Sequence, residues 1–355
     1  MNVFTLTDIP SPYQVEFFNE IATRKEVDLS VAYLRDADPD RSWQPPKAEY
    51  ECWAMSDSPA ALSEAERAAL NSDLAIFNYY NHPLAETLIA KRVQSGKPWC
   101  FWGERPGLRK PRVVGEWFRQ WKLKALRRSQ APIWGVGEFA LARYRAEFGP
   151  QRPYRNLPYF SNLDRFAYER GSGRSSRVFL FAGSLIERKG VDLLARAFVR
   201  LACEFPNVRL KIAGVGNFEQ TIARTLRPVR EQVEFVGFKH WDELPELYAS
   251  ADVLCVPSRY DGWGLVVPEG LAAGLPVIAT DNMGAALEFV RIRTNGWLIR
   301  AANEEAILDA MREAAMLTDA ELAQLAQRAR NSVSEHTLTH GAERFARYAQ
   351  EAAHV

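Results

Sequence analysis

The feature that most constrains the fold is a double alternation of strand-like apolar runs with helix-like stretches. A first series of runs comprises Val3–Thr7, Val27–Leu34, Asp73–Phe77, Lys97–Trp102 and Ile133–Val136. A second series comprises Val178–Ala182, Val208–Ala213, Val233–Val236, Val253–Val256 and Pro276–Ala279. Strands that alternate with helices form parallel sheets with helices on both faces. Because the polar stretch Arg170–Ser176 separates the series as a linker would, we predict two α/β domains.

The length and charge of the chain narrow its class. Its 355 residues suit two domains, and its net charge of +1 gives no overall field to recruit nucleic acid. The four cysteines include no CxxC pair, which is typical of reduced thiols in the cytoplasm. Met1–Thr7 lacks the basic segment of a signal peptide, and no apolar run approaches the length of a membrane span. We therefore expect a cytoplasmic protein without a nucleic-acid partner.

A glycine-containing loop carries the most specific signal. The buried strand Asp252–Pro257 leads into Ser258–Gly264, and a helix opens around Leu265–Glu269. Gly262 and Gly264 allow the backbone to approach a ligand closely, and the N–H groups of a helix N-terminus suit a phosphate. Two acidic residues, Asp261 in the loop and Glu269 in the helix, lie eight positions apart.

Two further turns follow strands in the second half. Arg188 and Lys189 lie in a strand-to-helix turn, where a cation can reach an anion at the edge of the sheet or can simply be solvated. Gly214 and Gly216 form a GxG after another strand, but Glu219 stands where a dinucleotide fingerprint has its third glycine. That pair indicates either a phosphate loop or a plain tight turn.

Ser258–Thr280 (SRYDGWGLVVPEGLAAGLPVIAT) resembles the signature of glycosyltransferase family 4, bacterial polysaccharide type, of the GT-B superfamily. Four other segments match family motifs in the same order: Gly183–Gly190, Val233–Phe238, Leu247–Pro257 and Gly284–Leu298. Pro12–Ala22 in the first half resembles the family's opening helix more loosely.

The resemblance implies an α/β protein of GT-B fold, with two Rossmann-like, doubly wound parallel-sheet domains that face a cleft. Residues 1–162 would form the acceptor-side domain and residues 163–335 the nucleotide-sugar-binding domain. Residues 336–355 would form a helix that crosses back to the first domain.

The resemblance also implies roles in donor binding. Glu269 would bind the ribose of the nucleotide, Asp261 would face the donor sugar, and Lys189 would hold the diphosphate. The remaining candidates for binding the donor are Gly264, Leu265 and Val266 through their amides, Phe238 and Lys239 beside the base, and Gly214, Gly216 and Ser184 in neighbouring turns.

Three positions depart from the family pattern. Asp261 stands where glutamate is usual, and Trp263 stands where phenylalanine is common. Ser184 replaces the arginine that normally partners the lysine, and Arg188 is our candidate to supply the missing charge.

The first domain offers one candidate catalytic residue. The segment Lys97–Glu104 aligns with a strand whose end often carries a histidine beside the reacting carbon, and Glu104 occupies that position. The alternative is that Glu104 only pairs with Arg105 or another surface charge. His82 also lies in a strand-end loop, where a solvent-facing histidine is the more ordinary interpretation.

The stretch Arg109–Arg128 is basic and carries two tryptophans. Such an amphipathic helix indicates either an anionic membrane surface as partner or a solvated helix that packs its aromatic residues on the core. Asp36–Asp40 contains a DxD, which is a metal motif in another glycosyltransferase fold, but its polar and proline-containing surroundings favour a turn. We predict no metal site.

The implied reaction is sugar transfer, with retention and without a metal or cofactor, from a nucleoside-diphosphate sugar to a sugar or a lipid-linked acceptor. Cell-surface polysaccharide or glycolipid synthesis fits this chemistry, and so does peripheral binding at the inner face of the membrane. The alternatives are a GT-B nucleotide-sugar epimerase and a non-catalytic nucleotide-sugar-binding protein. The incomplete GxG disfavours a dehydrogenase.

Overall fold

A computed structural model describes residues 1–37, 45–55, 58–106, 112–167 and 176–354. The chain divides into two compact units, the first formed by Met1–Asn162 with Thr337–Val355 and the second by Leu163–His336. The predicted linker Arg170–Ser176 lies outside the described residues except for Ser176.

The first unit contains a parallel sheet of seven strands in the order β3-β2-β1-β4-β5-β6-β7. The strands are β1 Asn2–Thr7, β2 Asp28–Tyr33, β3 Glu51–Ala54, β4 Leu74–Phe77, β5 Trp99–Gly103, β6 Ile133–Gly135 and β7 Tyr154–Asn156. The helices are α1 Pro12–Ala22, α2 Pro59–Asn71, α3 Pro83–Ser95, α4 Arg112–Lys122, α5 Lys124–Arg127 and α6 Glu138–Phe148. The apolar runs seen in the sequence are the central strands, since β4 and β5 are buried along their whole length.

The second unit contains a parallel sheet of six strands in the order β10-β9-β8-β11-β12-β13. The strands are β8 Arg177–Ala182, β9 Val208–Ala213, β10 Val233–Gly237, β11 Val253–Val256, β12 Val277–Thr280 and β13 Gly296–Ile299. The helices are α7 Val191–Glu204, α8 Glu219–Thr225, α9 Leu244–Ala249, α10 Val266–Ala272, α11 Gly284–Phe289, α12 Glu304–Met316 and α13 Asp319–Ser332. Short 3₁₀ turns occupy Leu163–Phe166, Glu187–Lys189 and Arg227–Gln232.

The last helix, α14 Leu338–Ala353, packs against α1 within the first unit. The ring of Phe345 meets that of Phe17 edge-on at 6.3 Å. At the rim of this contact Arg24 forms an ion pair of 3.1 Å with Glu343. The end of the chain is therefore part of the first unit's helical layer.

Both sheets reverse their direction of growth at one point, which confirms the predicted doubly wound arrangement. In the first sheet the reversal falls between β1 and β4, and in the second it falls between β8 and β11. At such a switch point the loops after the two strands diverge and leave a crevice at the carboxyl ends of the strands. Each unit therefore has one favoured place for a ligand.

Candidate functional site

The candidate donor-binding residues of the second unit lie in loops that follow the carboxyl ends of its strands. The turn with Arg188 and Lys189 follows β8, and the loop with Asp261 follows β11. These two strands are neighbours at the switch point, which brings the two segments together. Ser184 also follows β8, and the other candidates lie after β9 and β10 or in and just before α10.

Lys189 and Asp261 form an ion pair at the centre of this edge. The Lys189 Nζ atom lies 2.6 Å from Asp261 Oδ2, and the two side chains are 16% and 13% exposed. Arg188 Nη1 lies 3.6 Å from the same oxygen and donates a hydrogen bond to the Tyr260 carbonyl at 3.0 Å. Two cations thus flank one carboxylate, and Arg188 remains our candidate for the charge that Ser184 lacks.

The Asp261 carboxyl is held in its ionised form. Burial raises the pKa of this group, but the charge and hydrogen bond of Lys189, with Arg188 and the Trp263 N–H, outweigh burial and lower the pKa below its usual value. An ionised carboxylate accepts hydrogen bonds and does not deliver a proton. Asp261 can therefore orient hydroxyl groups but cannot act as a general acid at neutral pH.

Close backbone packing holds the lysine turn against the aspartate loop. Gly190 has a φ of +69°, and a Cβ at this position would lie 2.0 Å from the Pro257 carbonyl oxygen. The Arg259 N–H donates to the Arg188 carbonyl at 2.8 Å, and its guanidinium donates to both Asp192 carboxylate oxygens at 2.7 Å. These contacts fix the separation between the two cations and Asp261.

Glu269 lies on α10 and is oriented by a residue to which the sequence reasoning gave no role. The Tyr248 hydroxyl donates to Glu269 Oε2 at 3.0 Å, and the ring of Phe166 meets that of Tyr248 edge-on at 5.2 Å. Burial and the neighbouring carboxylate raise the pKa of Tyr248, so its hydroxyl stays protonated and serves as the donor. Tyr248 falls within Leu247–Pro257, and the resemblance of this segment to a family motif was the sequence feature that pointed to it.

The helix after the glycine loop lies where the sequence predicted it and is short. It begins at Val266 and has only seven residues, with Leu265 as its N-cap. A short helix has a small dipole, so the two cations offer an anion more than the helix end does. Gly264 has a φ of +91°, a backbone conformation that residues with a side chain adopt only with strain. Trp263 is buried against Phe289 and contributes packing, not a ligand contact.

Phe238 and Lys239 follow β10. Phe238 is 38% exposed, and its ring meets the His240 ring edge-on at 5.1 Å. An exposed aromatic ring is suited to stacking on a flat base. The Lys239 Nζ atom lies 2.8 Å from Glu243 Oε1, and this ion pair raises the pKa of the lysine. The ammonium group is thus held beside Glu243.

The GxG glycines have a structural explanation. A Cβ at Gly214 would lie 1.9 Å from the Gly183 carbonyl oxygen, and a Cβ at Gly216 would lie 2.4 Å from the Leu185 carbonyl oxygen. These glycines are required because two loops cross closely at the edge of the sheet. Ser184 lies in the same crossing and is exposed.

The switch point of the first unit holds a cavity of about 370 Å³ at the ends of β1, β4 and β5. Aromatic side chains form much of its lining: Tyr13, Tyr79, Tyr80, Phe101, Tyr144 and Tyr159. Asp8, Asn78, Glu104 and Arg105 add polar groups. Thr7 donates to Asn78 Oδ1 at 3.0 Å, and Asn78 donates to the Trp102 carbonyl at 3.0 Å, so the amide is fixed in place.

The structure locates the remaining first-unit candidates. Glu104 is exposed at the cavity, its carbonyl accepts a hydrogen bond from Tyr144 at 2.7 Å, and its charge adds to the rise that burial causes in the pKa of Tyr159. His82 caps α3, since its Nδ1 accepts the Leu84 N–H at 3.2 Å. Its place at a strand end therefore reflects helix capping.

Two features are absent from the part of the chain that the structure describes, a metal cluster and a membrane-spanning helix. No group of three or more His, Cys, Asp or Glu that could hold a metal was found in that part of the chain. The DxD of Asp36–Asp40 falls partly outside it, because only residues 36 and 37 are described. Within the same part, no helix combines the length and apolarity needed to cross a bilayer.

Comparison with known proteins agrees with the geometry of the second unit. Residues 165–332 match the family model of glycosyl transferases group 1. An uncharacterized glycosyltransferase of Methanocaldococcus jannaschii is 35% identical over 133 residues, which are 37% of this chain and 34% of that protein. A GDP-mannose-dependent alpha-(1-6)-phosphatidylinositol monomannoside mannosyltransferase of Mycolicibacterium smegmatis is 30% identical over 194 residues, half of each chain. The chain thus spans half or less of the length of these two curated relatives.

Solved structures match the chain along its whole length. The Anabaena protein HepE, crystallised in complex with UDP, has a TM-score of 0.78 at 15% identity, with 99% of this chain and 100% of that chain covered. WaaG, a glycosyltransferase involved in lipopolysaccharide biosynthesis, has a TM-score of 0.72 at 18% identity, with 98% and 99% covered. The fold is GT-B. At these identities the likeness establishes the fold and not the substrate.

Proposed function

We propose that this protein is a retaining, metal-independent glycosyltransferase that moves a sugar from a nucleoside-diphosphate sugar to an acceptor hydroxyl. The observation that carries the proposal is the arrangement of Lys189 and Arg188 around Asp261 at the switch point of the second unit. Paired cations at this edge suit a diphosphate, and the match of residues 165–332 to glycosyl transferases group 1 supports the same chemistry.

The two cations would neutralise the charge that develops on the leaving diphosphate. Charge stabilisation of this kind is the largest catalytic contribution in many enzymes, and fixed ammonium and guanidinium groups can supply it where another enzyme uses a metal ion. In the absence of ligand Asp261 holds Lys189 and Arg188 in place. When a diphosphate binds, the lysine can turn towards it, and the carboxylate can then accept hydrogen bonds from sugar hydroxyls.

Glu269 would accept hydrogen bonds from the ribose hydroxyls, with Tyr248 keeping its carboxylate in a single orientation. Phe238 would stack on the base. HepE was crystallised with UDP, and the mycobacterial relative is GDP-mannose-dependent, so both UDP-sugars and GDP-sugars belong in the test.

The cavity of the first unit is our candidate acceptor site. Its tyrosines offer flat faces to the C–H groups of a sugar ring, and Asp8 and Asn78 offer fixed polar atoms to hydroxyls. Glu104 lies at its rim, where a carboxylate can assist the acceptor hydroxyl. Since the mycobacterial relative acts on a phosphatidylinositol mannoside, we propose a sugar or lipid-linked acceptor in cell-surface polysaccharide or glycolipid synthesis, on the cytoplasmic side of the membrane.

A panel of nucleotide sugars and free nucleoside diphosphates, screened for thermal stabilisation, tests the donor assignment. A ligand present at 100 times its Kd stabilises a protein by about 2.7 kcal/mol, which raises the melting temperature by several degrees. We expect one nucleoside diphosphate and its sugar conjugate to stabilise the protein, and Lys189→Ala to abolish the shift. If no member of the panel changes the melting temperature, the proposal is wrong.

A further inference from the structure

Helix α4 is oriented with its apolar face towards solvent. Ten large apolar side chains are exposed in the described part of the chain, and four of them lie on this helix. Val113, Val114, Trp117 and Trp121 are 76%, 49%, 69% and 55% exposed. Positions 113, 117 and 121 are successive four-residue steps, and position 114 lies three before 117, so the four side chains share one face of the helix. We call this face the Val-Trp face.

Three charged side chains of α4 face the protein instead. Arg119 forms a 3.0 Å ion pair with Glu147 of α6, and these side chains are 8% and 1% exposed. Glu116 pairs with Arg143, and Lys122 pairs with Glu86 of α3. A surface helix normally buries its apolar stripe and exposes its charges. Here the ion pairs fix the opposite orientation, which exposes two tryptophans.

Positive charge continues past the C-terminal end of the Val-Trp face. Lys124, Arg127 and Arg128 on and beside α5 are exposed, and Arg127 donates a hydrogen bond to the Gln120 amide oxygen at 3.3 Å. Within the described residues, no ion pair involves any of these three side chains. By contrast, Arg119 and Lys122 of the basic stretch are already paired with protein carboxylates.

We propose that the Val-Trp face and the cations Lys124, Arg127 and Arg128 together dock this protein onto a lipid bilayer that carries anionic headgroups. Tryptophan prefers the boundary between headgroups and acyl chains, and lysine and arginine are attracted to the negative surface potential beside it. A second copy of the chain fits the same face poorly, because two identical faces would bring like-charged cations together. The charge pattern therefore favours lipid over self-association.

Sedimentation of the full chain with lipid vesicles tests this proposal, and it needs neither donor nor acceptor. One set of vesicles contains phosphatidylcholine alone, and the other contains equal parts of phosphatidylcholine and phosphatidylglycerol. We expect the wild-type protein to sediment with the second set and to be released by high salt. Bromine-labelled lipid should quench the fluorescence of Trp117 and Trp121, whereas the described tryptophans that are buried should respond little.

Two variants separate the apolar from the charged contribution. Replacing Trp117 and Trp121 together by serine should reduce the vesicle-bound fraction about tenfold or more. Replacing Lys124, Arg127 and Arg128 by glutamate should reduce it about a hundredfold, because each cation near the surface contributes about fivefold. The matched controls are Ile292→Ser with Met316→Ser, and the triple change Arg224→Glu, Arg227→Glu and Arg328→Glu, which alter side chains of similar type and exposure in the second unit.

Unchanged circular dichroism and melting temperature would show that each variant is folded. The proposal is overturned if wild-type protein ignores anionic vesicles at low salt, if it binds neutral vesicles equally well, or if the controls weaken binding as much as the test variants. It is also overturned if wild-type protein forms a dimer in solution that the paired tryptophan substitutions dissociate, because the Val-Trp face would then cover a second copy.

Discussion

Among single residues, the Asp261 carboxylate between two cations is central to the proposed donor site. Lys189 is 2.6 Å from Asp261, and Arg188 is 3.6 Å from the same oxygen. A lysine buried to this degree and aimed at the edge of a sheet is costly unless it has a partner. Asp261 supplies that partner in the absence of ligand, and a diphosphate would supply it during turnover.

The Lys189→Ala variant should lower turnover by about thirty- to a thousand-fold. A charge-assisted contact to a developing negative charge contributes about 2–4 kcal/mol, and this change removes it. The measurement is release of nucleoside diphosphate, with Lys211→Ala as the control, since Lys211 is also partly buried and ion-paired in the same unit. Turnover close to wild type in Lys189→Ala, with Lys211→Ala equally active, would remove Lys189 from the site.

The Tyr248→Phe variant should weaken binding of the nucleoside diphosphate about tenfold while the protein stays folded. The hydroxyl donates to Glu269, and a hydrogen bond to a charged group contributes about 1.5–3 kcal/mol. Titration calorimetry on Tyr248→Phe, Glu269→Gln and the double variant measures this effect. If Tyr248 acts by positioning Glu269, the double variant binds no worse than Glu269→Gln alone. Additive losses would contradict that role.

The sequence predicted individual site residues unevenly. Lys189, Asp261 and Glu269 were singled out by the resemblance to the family signature, and their roles in donor binding stay predictions. Tyr248 could not be assigned a role, because in the sequence it is one apolar-side residue of a short helix, and only tertiary packing brings its hydroxyl to Glu269. Gly214 and Gly216 resembled phosphate-loop glycines, but the close crossing of two loops accounts for them.

At the scale of elements, the Asp192–Arg259 pair joins α7 to the loop that carries Asp261. Both Arg259 terminal nitrogens lie 2.7 Å from the carboxylate. Burial raises the pKa of Asp192, but the hydrogen bonds and charge of Arg259 and the charge of Arg196 outweigh burial. The pKa of Asp192 therefore lies below its usual value. The pair therefore stabilises the folded state whenever Asp192 is ionised.

The Arg259→Ala variant should lower the free energy of unfolding by about 1–2 kcal/mol at pH 7. A carboxyl group whose pKa is lowered by folding contributes its stability above its unfolded pKa of about 4 and loses it as pH falls through the folded pKa. Denaturant unfolding at a series of pH values should therefore show the difference between wild type and variant shrinking below about pH 4. A difference that is constant from pH 7 to pH 3 would contradict the ion pair as its cause.

The elements that the sequence missed share a position. The strands β3, β7 and β13 had no counterpart among the predicted strands, and each lies at the edge of its sheet. The strands β3 and β7 carry no continuous apolar run, as β7 with the sequence Tyr-Arg-Asn illustrates. The strand β13 has an apolar sequence but only four residues, and the fourth edge strand, β10, was predicted. The central strands were predicted because burial on both faces imposes such a run.

The molecule as a whole is nearly neutral, but its charge is concentrated in local clusters. The net charge is +1, yet cations cluster around Asp261 in one unit and beside the Val-Trp face in the other. The net charge gave no sign of either cluster. The basic stretch was visible in the sequence, but its orientation was not, because that depends on which helices supply Glu147 and Glu86.

Activity should survive EDTA. We propose that Lys189 and Arg188 neutralise the diphosphate without a metal ion, since their side chains carry positive charge at neutral pH. The test is the rate of nucleoside diphosphate release with and without about 5 mM chelator, a concentration well above that of contaminating metal. Loss of activity that manganese or magnesium restores would contradict metal independence and return attention to Asp36–Asp40.

Sugar transfer can be tested by following both products of the reaction. The wild-type protein and Glu269→Gln are incubated with the stabilising nucleotide sugar and a panel of sugar and lipid-linked acceptors. We expect wild type to release nucleoside diphosphate in step with a glycosylated acceptor, and the new linkage to keep the anomeric configuration of the donor. The Glu269→Gln variant should transfer the sugar at least tenfold more slowly. Donor converted to another sugar without an acceptor, or donor bound with no turnover on any acceptor, would contradict it.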